Sequence, residues 1–531
     1  MYIAKVPNRK SPPAILLRES YREKGKVKTH TLANITSWDP VRIEALRRAL
    51  RGEFDHIAGE SPTLGPIFGT LYALNKIAEE LGITAALGKN RLGKLALFLV
   101  LARIAHQGSR LSAIRWSEDH AVAEILGLSK FDEDDLYIAL DDLCLRQEKI
   151  EKALYERYLR KKKSPPALFL YDVTSSYLEG EHNALGEYGY NRDGKRGKLQ
   201  IVIGLLADNE GEPLAVRVFS GNTADPSTVA DQIKLVKEQF NVEELIFVGD
   251  RGMVKSKGKQ ALKDVGLRYI SALTDPQIRR LLAEGTLQLG LFDEKVCEVE
   301  ANNVRYLLRK NEAEEAKEHH RLQDKLGKLA MKIENRNKQV QDSKRCQPEA
   351  GSRQLQAWVI RHKLTDLVEL RLEGRKLILV KNEKAMERAM ELAGCYVVVS
   401  DVPKEKMTGQ EVHDSYMALQ KVERDFRSMK TGLLEVRPIF VRKESRTRGH
   451  VFACMLALKI CREMESRLSA AFGTTDSNKY AITLPDALSS LSRLCLLNYE
   501  VDTKTTVTRL PKPDPRQNEI LAALGLSLPS K

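Results

Sequence analysis

The chain has no Cys-x-x-Cys pair, and its seven cysteines are scattered. That argues against a disulfide framework and against a zinc knuckle, and it fits a reducing compartment. Long apolar runs are also missing. The longest, Leu95 to Ala102 and Val451 to Leu458, fall far short of the roughly 20 residues that a spanning helix needs. No membrane partner is therefore expected. The N-terminal segment lacks the charged-then-apolar layout of a signal peptide, so a cytoplasmic location is expected. Acidic charge is in deficit: 72 Asp and Glu stand against 86 Lys and Arg, a formal charge of +14. A basic excess of this size favours an acidic partner such as nucleic acid. At 531 residues the chain is too long for one core, and roughly three or four domains are expected.

Residues 1–35 read as strands. A hairpin runs from Ala14–Arg18 through Glu23-Lys24-Gly25-Lys26 into Val27–Leu32, where a Gly-containing turn joins two strand-like runs. Its lysines and His30 suit either a phosphate backbone or a small solvated sheet. Asp39-Pro40 has the form of a helix start, an N-cap followed by proline at the first helical position. From Pro66 to about Lys163 the spacing predicts helices throughout. Leu95 to Ile104 is apolar nearly all round and therefore reads as a buried helix, and Asp132 to Leu159 reads as a long final helix. This stretch suits DNA binding or a helical scaffold or dimerisation unit.

Ser164-Pro165-Pro166 marks a change of character. Leu168 to Thr174 has a buried-strand pattern that ends in a carboxylate, Asp172. Lys198–Leu206 and Pro213–Phe219 give two more strands. Asp225-Pro226 caps and opens a helix to about Phe240. Glu244–Asp250 is an apolar strand ending in a carboxylate, followed by a helix from about Ser256 and a strand at Tyr269–Leu273. Three adjacent strands predict an antiparallel meander, and the later alternation predicts parallel additions, the order of a ribonuclease-H-like mixed sheet. Residues 276–395 interrupt it with hairpins at Val296–Arg309 and Leu367–Lys381 and a charged helix, Glu312–Asp342. Cys395–Ser400 is a strand, and Thr408 opens a helix. Further helices are expected from His450 to about Leu468, at Pro485–Leu496 and at Asn518–Leu524.

In the helix opened by Thr408, Tyr416, Glu423 and Lys430 lie seven residues apart and so share a face. Leu419, Val422, Phe426 and Met429 form an apolar stripe beside them. Alone, this is either an amphipathic surface helix or a carboxylate flanked by a phenol and an ammonium suited to an anionic polymer. Asp172, Asp250 and Glu423 together offer oxygen donors with no His or Cys partner, a set for Mg²⁺ or Mn²⁺ and not for zinc. Two such ions suit phosphodiester displacement.

Four segments resemble a DDE transposase of bacterial insertion sequences, of the IS-four-like superfamily. Tyr171-Asp172-Val173-Thr174-Ser175-Ser176-Tyr177 resembles its first-aspartate strand. Gly221-Asn222-Thr223-Ala224-Asp225 resembles the segment after its third strand. Val248-Gly249-Asp250-Arg251-Gly252 resembles its second-aspartate strand. Tyr416, Glu423 and Lys430 fall in register with its Tyr-(2)-Arg-(3)-Glu-(6)-Lys signature, and Leu419 stands at the arginine position. Arg424 or Arg427 is a candidate substitute.

The resemblance implies a ribonuclease-H-like core that cuts double-stranded DNA at the terminal inverted repeats of an element. The exposed 3′-hydroxyl is then joined to target DNA. Asp172, Asp250 and Glu423 would be the catalytic residues and metal ligands for Mg²⁺, with Mn²⁺ able to substitute. Tyr416, Lys430, Arg251, Arg427 and Lys198 would contact DNA. The cluster Arg192, Lys195, Arg196 and Lys198 suits backbone tracking or a solvated basic turn. Pairing of two ends implies a dimer in the synaptic complex, inside a bacterial or archaeal cell. The competing readings are a stand-alone ribonuclease-H-like nuclease and a catalytically idle transposase-derived DNA-binding protein.

The expected architecture is a multidomain α/β protein. A basic hairpin and helix region, 1–60, is a candidate DNA binder, and an all-helical domain follows at 61–163. The ribonuclease-H-like mixed-sheet core comprises 164–275 and 395–470. An α+β domain with a charged helical arm, 276–394, is inserted into it, and a helical tail occupies 471–531.

Overall fold

A computed structural model describes residues 1–529 apart from 9–11, 24, 52–62, 196, 241, 243–244, 252, 254–258, 260–261, 265, 294–296, 344, 433, 438, 475–477, 479 and 503–504. The chain begins with strands β1 (Tyr2–Val6), β2 (Ala14–Glu23) and β3 (Lys26–Asn34), followed by helix α1 (Pro40–Leu50). Then come β4 (Thr63–Ile67), α2 (Gly69–Leu81), α3 (Ile83–Leu87), α4 (Arg91–Ala105), α5 (Arg110–Glu118), α6 (Val122–Leu126) and α7 (Glu133–Lys162). The next stretch holds β5 (Leu168–Tyr177), β6 (Gln200–Asp208), β7 (Pro213–Ser220), α8 (Asp225–Lys234), β8 (Ile246–Gly249), β9 (Arg268–Ala272) and α9 (Asp275–Ala283). After it lie β10 (Cys297–Ala301), β11 (Val304–Lys310), α10 (Glu312–Asp342), α11 (Pro348–Arg361), β12 (Val368–Glu373), β13 (Lys376–Lys381), α12 (Glu383–Met390) and β14 (Cys395–Ser400). The chain closes with α13 (Gly409–Met417), α14 (Leu419–Lys430), α15 (Glu444–Phe472), α16 (Leu484–Leu491), β15 (Cys495–Asp502), β16 (Thr505–Arg509) and α17 (Pro515–Ala523).

Two compact units emerge, one of residues 1–79, 108–133 and 463–531, the other of 80–107 and 134–462. The first holds the sheet β1-β2-β3 and the sheet β16-β15-β4. Its helix α1 starts as the sequence predicts: Asp39 accepts the Val41 N–H and Pro40 opens the helix. The stretch expected to be wholly helical instead begins with strand β4. Short apolar runs fit either state, and here β15 supplies an edge, pairing Thr63 with Asn498 and Ile67 with Cys495. α16 ends at Leu491 and Cys495 onward is a strand, so the expected helical tail is part sheet. Phe68, Tyr72, Ala121, Leu494 and Leu496 form a buried cluster there.

The second unit is built on an eight-stranded sheet, ordered β10-β11-β14-β9-β8-β5-β6-β7. β5, β6 and β7 form the expected antiparallel meander, and β8 and β9 add in parallel with β5. Every residue of β6 is buried, as in a strand covered on both faces. The hairpin β10–β11 differs from expectation: it joins this sheet, because Leu307 and Leu308 pair with Val398 and Val397 of β14 and bury their side chains. The charged helix α10 spans the predicted residues, and its Leu329 and Ile333 pack with Leu355, Val359 and Leu377 in a separate small core. Asp225 is the first residue of α8 and not its N-cap, which is Ala224; its carboxylate pairs with Arg192 instead. Helix α15 starts at Glu444, ahead of His450. The helix expected from about Ser256 lies largely outside the described residues, as do Gly252 and Arg196. Among the described residues no helix is long and apolar enough to cross a membrane.

Candidate active site

The parallel pairing of β5 with β8 brings Tyr171 opposite Gly249. The next residues in the chain are Asp172, still within β5, and Asp250, just past the end of β8. Neighbouring strands run about 4.8 Å apart, so both carboxylates leave the sheet at one level. The sequence pattern predicts Asp172 at a strand end, but it lies in the middle of β5. It stands where β8 stops, while β5 continues because its other edge stays paired with β6 out to Tyr177↔Gln200. Asp250 follows the last residue of β8 and is exposed.

The helix read from Thr408 is two helices. Thr408 and Glu411 form a capping box at the start of α13, and the chain breaks at Ala418 before α14 begins. The apolar stripe is buried as its spacing predicts: Leu419, Val422, Phe426 and Met429. α14 packs against β5, which leaves Glu423 on the exposed side. Asp425, on the buried side, is paired with Arg462. Tyr416, at the end of α13, donates its hydroxyl to Asp250 Oδ1 at 3.3 Å.

The electrostatics tie these groups together. Burial pushes the Asp172 carboxyl up to about 7, and the charges of Asp250 and Glu423 push the same way. The Val173 N–H, donated to Asp172 Oδ1 at 2.7 Å, and Arg192 act against the rise. The Tyr416 phenol is raised by burial and then by the charge of Asp250. Carboxylates that oppose one another's ionisation are what a bound cation relieves. Among the described residues no three His, Cys, Asp or Glu side chains already stand as a formed metal site. The donor set, all oxygen and mutually repelling, nonetheless fits a hard divalent ion.

The remaining candidates are dispersed. Arg251 is exposed and 3.4 Å from Asp275. Lys198 is 2.6 Å from Glu179. Arg427 is exposed and makes no ion pair among the described residues. Lys430 is inward-facing: its side chain is 11% exposed and Nζ lies 2.8 Å from Asp193 Oδ1. Sequence reasoning passes over Asp193 and Arg437, which lie beside Lys430, and takes Asp225, the partner of Arg192, for a helix cap. The available signal was a single acid, Asp193, inside a run of Arg192, Lys195, Arg196 and Lys198.

Residues 163–460 match the transposase DDE domain family. Residues 3–62 match the family described as IS1634 family transposase, N-terminal domain. No curated protein matches the chain. Among solved structures, a piggyBac transposase synaptic complex with hairpin DNA shares 10% identity, with 86% of this chain and 88% of that one covered at a TM-score of 0.36. A Mos1 transposase paired-end complex with the left transposon end shares 9% identity, covering 44% of this chain and 68% of that one at a TM-score of 0.15. Neither likeness is close enough to carry an argument. The DDE match does carry one: it runs over more than half of the chain, and the chain belongs to the DDE transposases of insertion sequences, enzymes that cut DNA and join it.

Proposed function

We propose that Asp172, Asp250 and Glu423 are the metal ligands and catalytic residues of this transposase, and that β7-β6-β5-β8-β9 is a ribonuclease-H-like core. The observation that carries this reading is the register Tyr171↔Gly249, which sets Asp172 beside Asp250. The packing of the Glu423 helix on β5 supports the third member. The strand order, a three-stranded meander extended by two parallel strands, supports the core. Divalent metal dependence follows from the family, and Mg²⁺, with Mn²⁺ able to replace it, is the ion proposed. When bound, the ions would activate the attacking oxygen and stabilise the leaving one. Tyr416 orients the Asp250 carboxylate through its hydroxyl. Arg251, Arg427 and Lys198 offer positive charge to the phosphate backbone, and Lys430 acts from beneath the surface. The basic region 1–60 is proposed to bind the terminal repeats, and two chains to act together when two ends are paired.

The test is cleavage of duplexes bearing the ends of the element that encodes the chain. Asp172→Ala, Asp250→Ala and Glu423→Ala are each expected to abolish Mg²⁺-dependent cleavage, by at least about a thousandfold, while leaving binding in EDTA intact. Undiminished cleavage in one of them removes that residue from the site. Joining of pre-cleaved ends to plasmid DNA separates strand transfer from simple nuclease action.

A further inference from the structure

Between β5 and β6 runs a basic loop, Tyr190 to Lys198, and its single acid is buried. The Asp193 side chain is 2% exposed. Its carboxylate accepts the Tyr177 N–H at 3.1 Å and the Lys430 ammonium at 2.8 Å, and also pairs with the Arg437 guanidinium. Asp193 gives its own N–H to Asn191 Oδ1 at 2.9 Å, and the Arg192 N–H goes to Ser175 Oγ at 2.9 Å. The loop is therefore pinned to β5 at Ser175 and Tyr177 and to α14 at Lys430. Gly194, at φ +69°, turns the chain onward from the pinned residues. A carboxylate this deep is costly without partners, and here two cations and a backbone donor hold it.

The neighbour of Asp193 is directed differently. One Arg192 Nη lies 2.5 Å from Asp225 Oδ2, and the side chain is 27% exposed. Among the described residues Asp225 is the one carboxylate it meets, which leaves most of the guanidinium donors open to a bidentate acceptor. The charge of Arg192 reaches both Asp172 and Lys430. The loop thus holds an accessible cation beside the carboxylate cluster, while Lys430, the residue singled out by spacing, is spent internally on Asp193.

We propose that Arg192 contacts a phosphate of the DNA strand lying over the carboxylate cluster, and that Asp193, clamped by Lys430 and Arg437, is the positioning residue that delivers it there. This rests on the reading of the cluster as the DNA-cleaving centre, but its test needs neither metal nor cleavage.

The full chain is titrated in EDTA into a fluorescein-labelled duplex taken from the DNA flanking its coding region, over a range of KCl concentrations. R192Q is expected to weaken binding about tenfold and to lower the slope of log affinity against log salt by about one, the signature of one lost phosphate contact. D193N removes a negative charge. If Asp193 acted only through that charge, D193N would bind more tightly. Positioning instead requires weaker binding, comparable to R192Q, with no further loss in the double variant, and part of the loss recovered in D193E. An unchanged salt slope in R192Q, or D193N binding as tightly as the parent chain, overturns the proposal. If a thermal melt shows D193N unfolded, the slope of R192Q, a surface substitution, decides alone. Cleavage that survives in D172A would overturn the catalytic reading and leave these binding results standing.

Discussion

Arg305 is the most enclosed cation of the main sheet's edge, 3% exposed, and its guanidinium spans both oxygens of Glu298 at 2.8 and 3.1 Å. It also donates to the carbonyls of Val402 and Met407, tying β10 and β11 to the segment after β14. The hydrogen bonds from Arg305 hold the Glu298 carboxyl below its usual range. A depressed carboxyl contributes stability above its unfolded value, about 4.3, and loses it as the pH falls through the folded value. E298Q is expected to cost about 1–3 kcal/mol at neutral pH, because Arg305 stays buried with a weaker partner. The gap from the parent should begin to narrow as the pH falls below the unfolded value and close only below the depressed folded one, as urea midpoints across the acid range would show. The residues that spacing could find were those whose surroundings are local, such as the stripe Leu419, Val422, Phe426 and Met429. Asp193 was not legible, because a single acid in a basic turn reads as solvated until Lys430 and Arg437 are seen to converge on it.

Helix α15 crosses α7 closely. A Cβ at Gly449 would run into the Leu140 carbonyl, and backbone cannot yield as a side chain tip can. G449A is expected to destabilise the chain by about 1–3 kcal/mol through overpacking, seen as a lower thermal midpoint. G327A, on α10 where nothing lies within reach of the new Cβ, should not lower it, since alanine favours the helix by about 1 kcal/mol. The apolar strands of the main sheet and the helix α10 were legible because their patterns exceed what loops tolerate. β4 was not, because its partner β15 lies at the other end of the chain, and local periodicity carries no record of a distant edge. The break at Ala418 was hidden for the opposite reason. Its backbone stays in the helical region, φ −63° and ψ −16°, so the seven-residue spacing runs straight through it.

At the scale of the whole molecule, the excursion that holds α10, α11, β12, β13 and α12 starts and returns at one place. The Asn311 N–H donates to the Gly394 carbonyl at 2.9 Å, and Lys310 pairs with Cys395 in the main sheet. The excursion also has its own core. Replacing residues 312–391 by a short glycine-containing turn, which keeps Leu392 in the main core, is therefore expected to leave β11 and β14 joined as a hairpin and the main sheet folded. Circular dichroism and a cooperative melt would check this. Loss of the melt would mean that the excursion is part of the sheet's foundation. The +14 charge belongs to the same scale: DNA affinity should fall steeply and linearly on a log–log plot against salt.

The pairing of Tyr171 with Gly249 has one more consequence. The main-chain pairing of β5 with β8 runs up to the residues just before Asp172 and Asp250, so backbone and not side-chain packing brings the two positions level in the proposed site. The usual gap between mild and severe replacements is then expected to narrow at these positions. D172E and D250E keep the charge but push an oxygen one methylene past a fixed mark. Where half an ångström separates productive from idle geometry, the conservative exchange should be nearly as disabling as the neutral one.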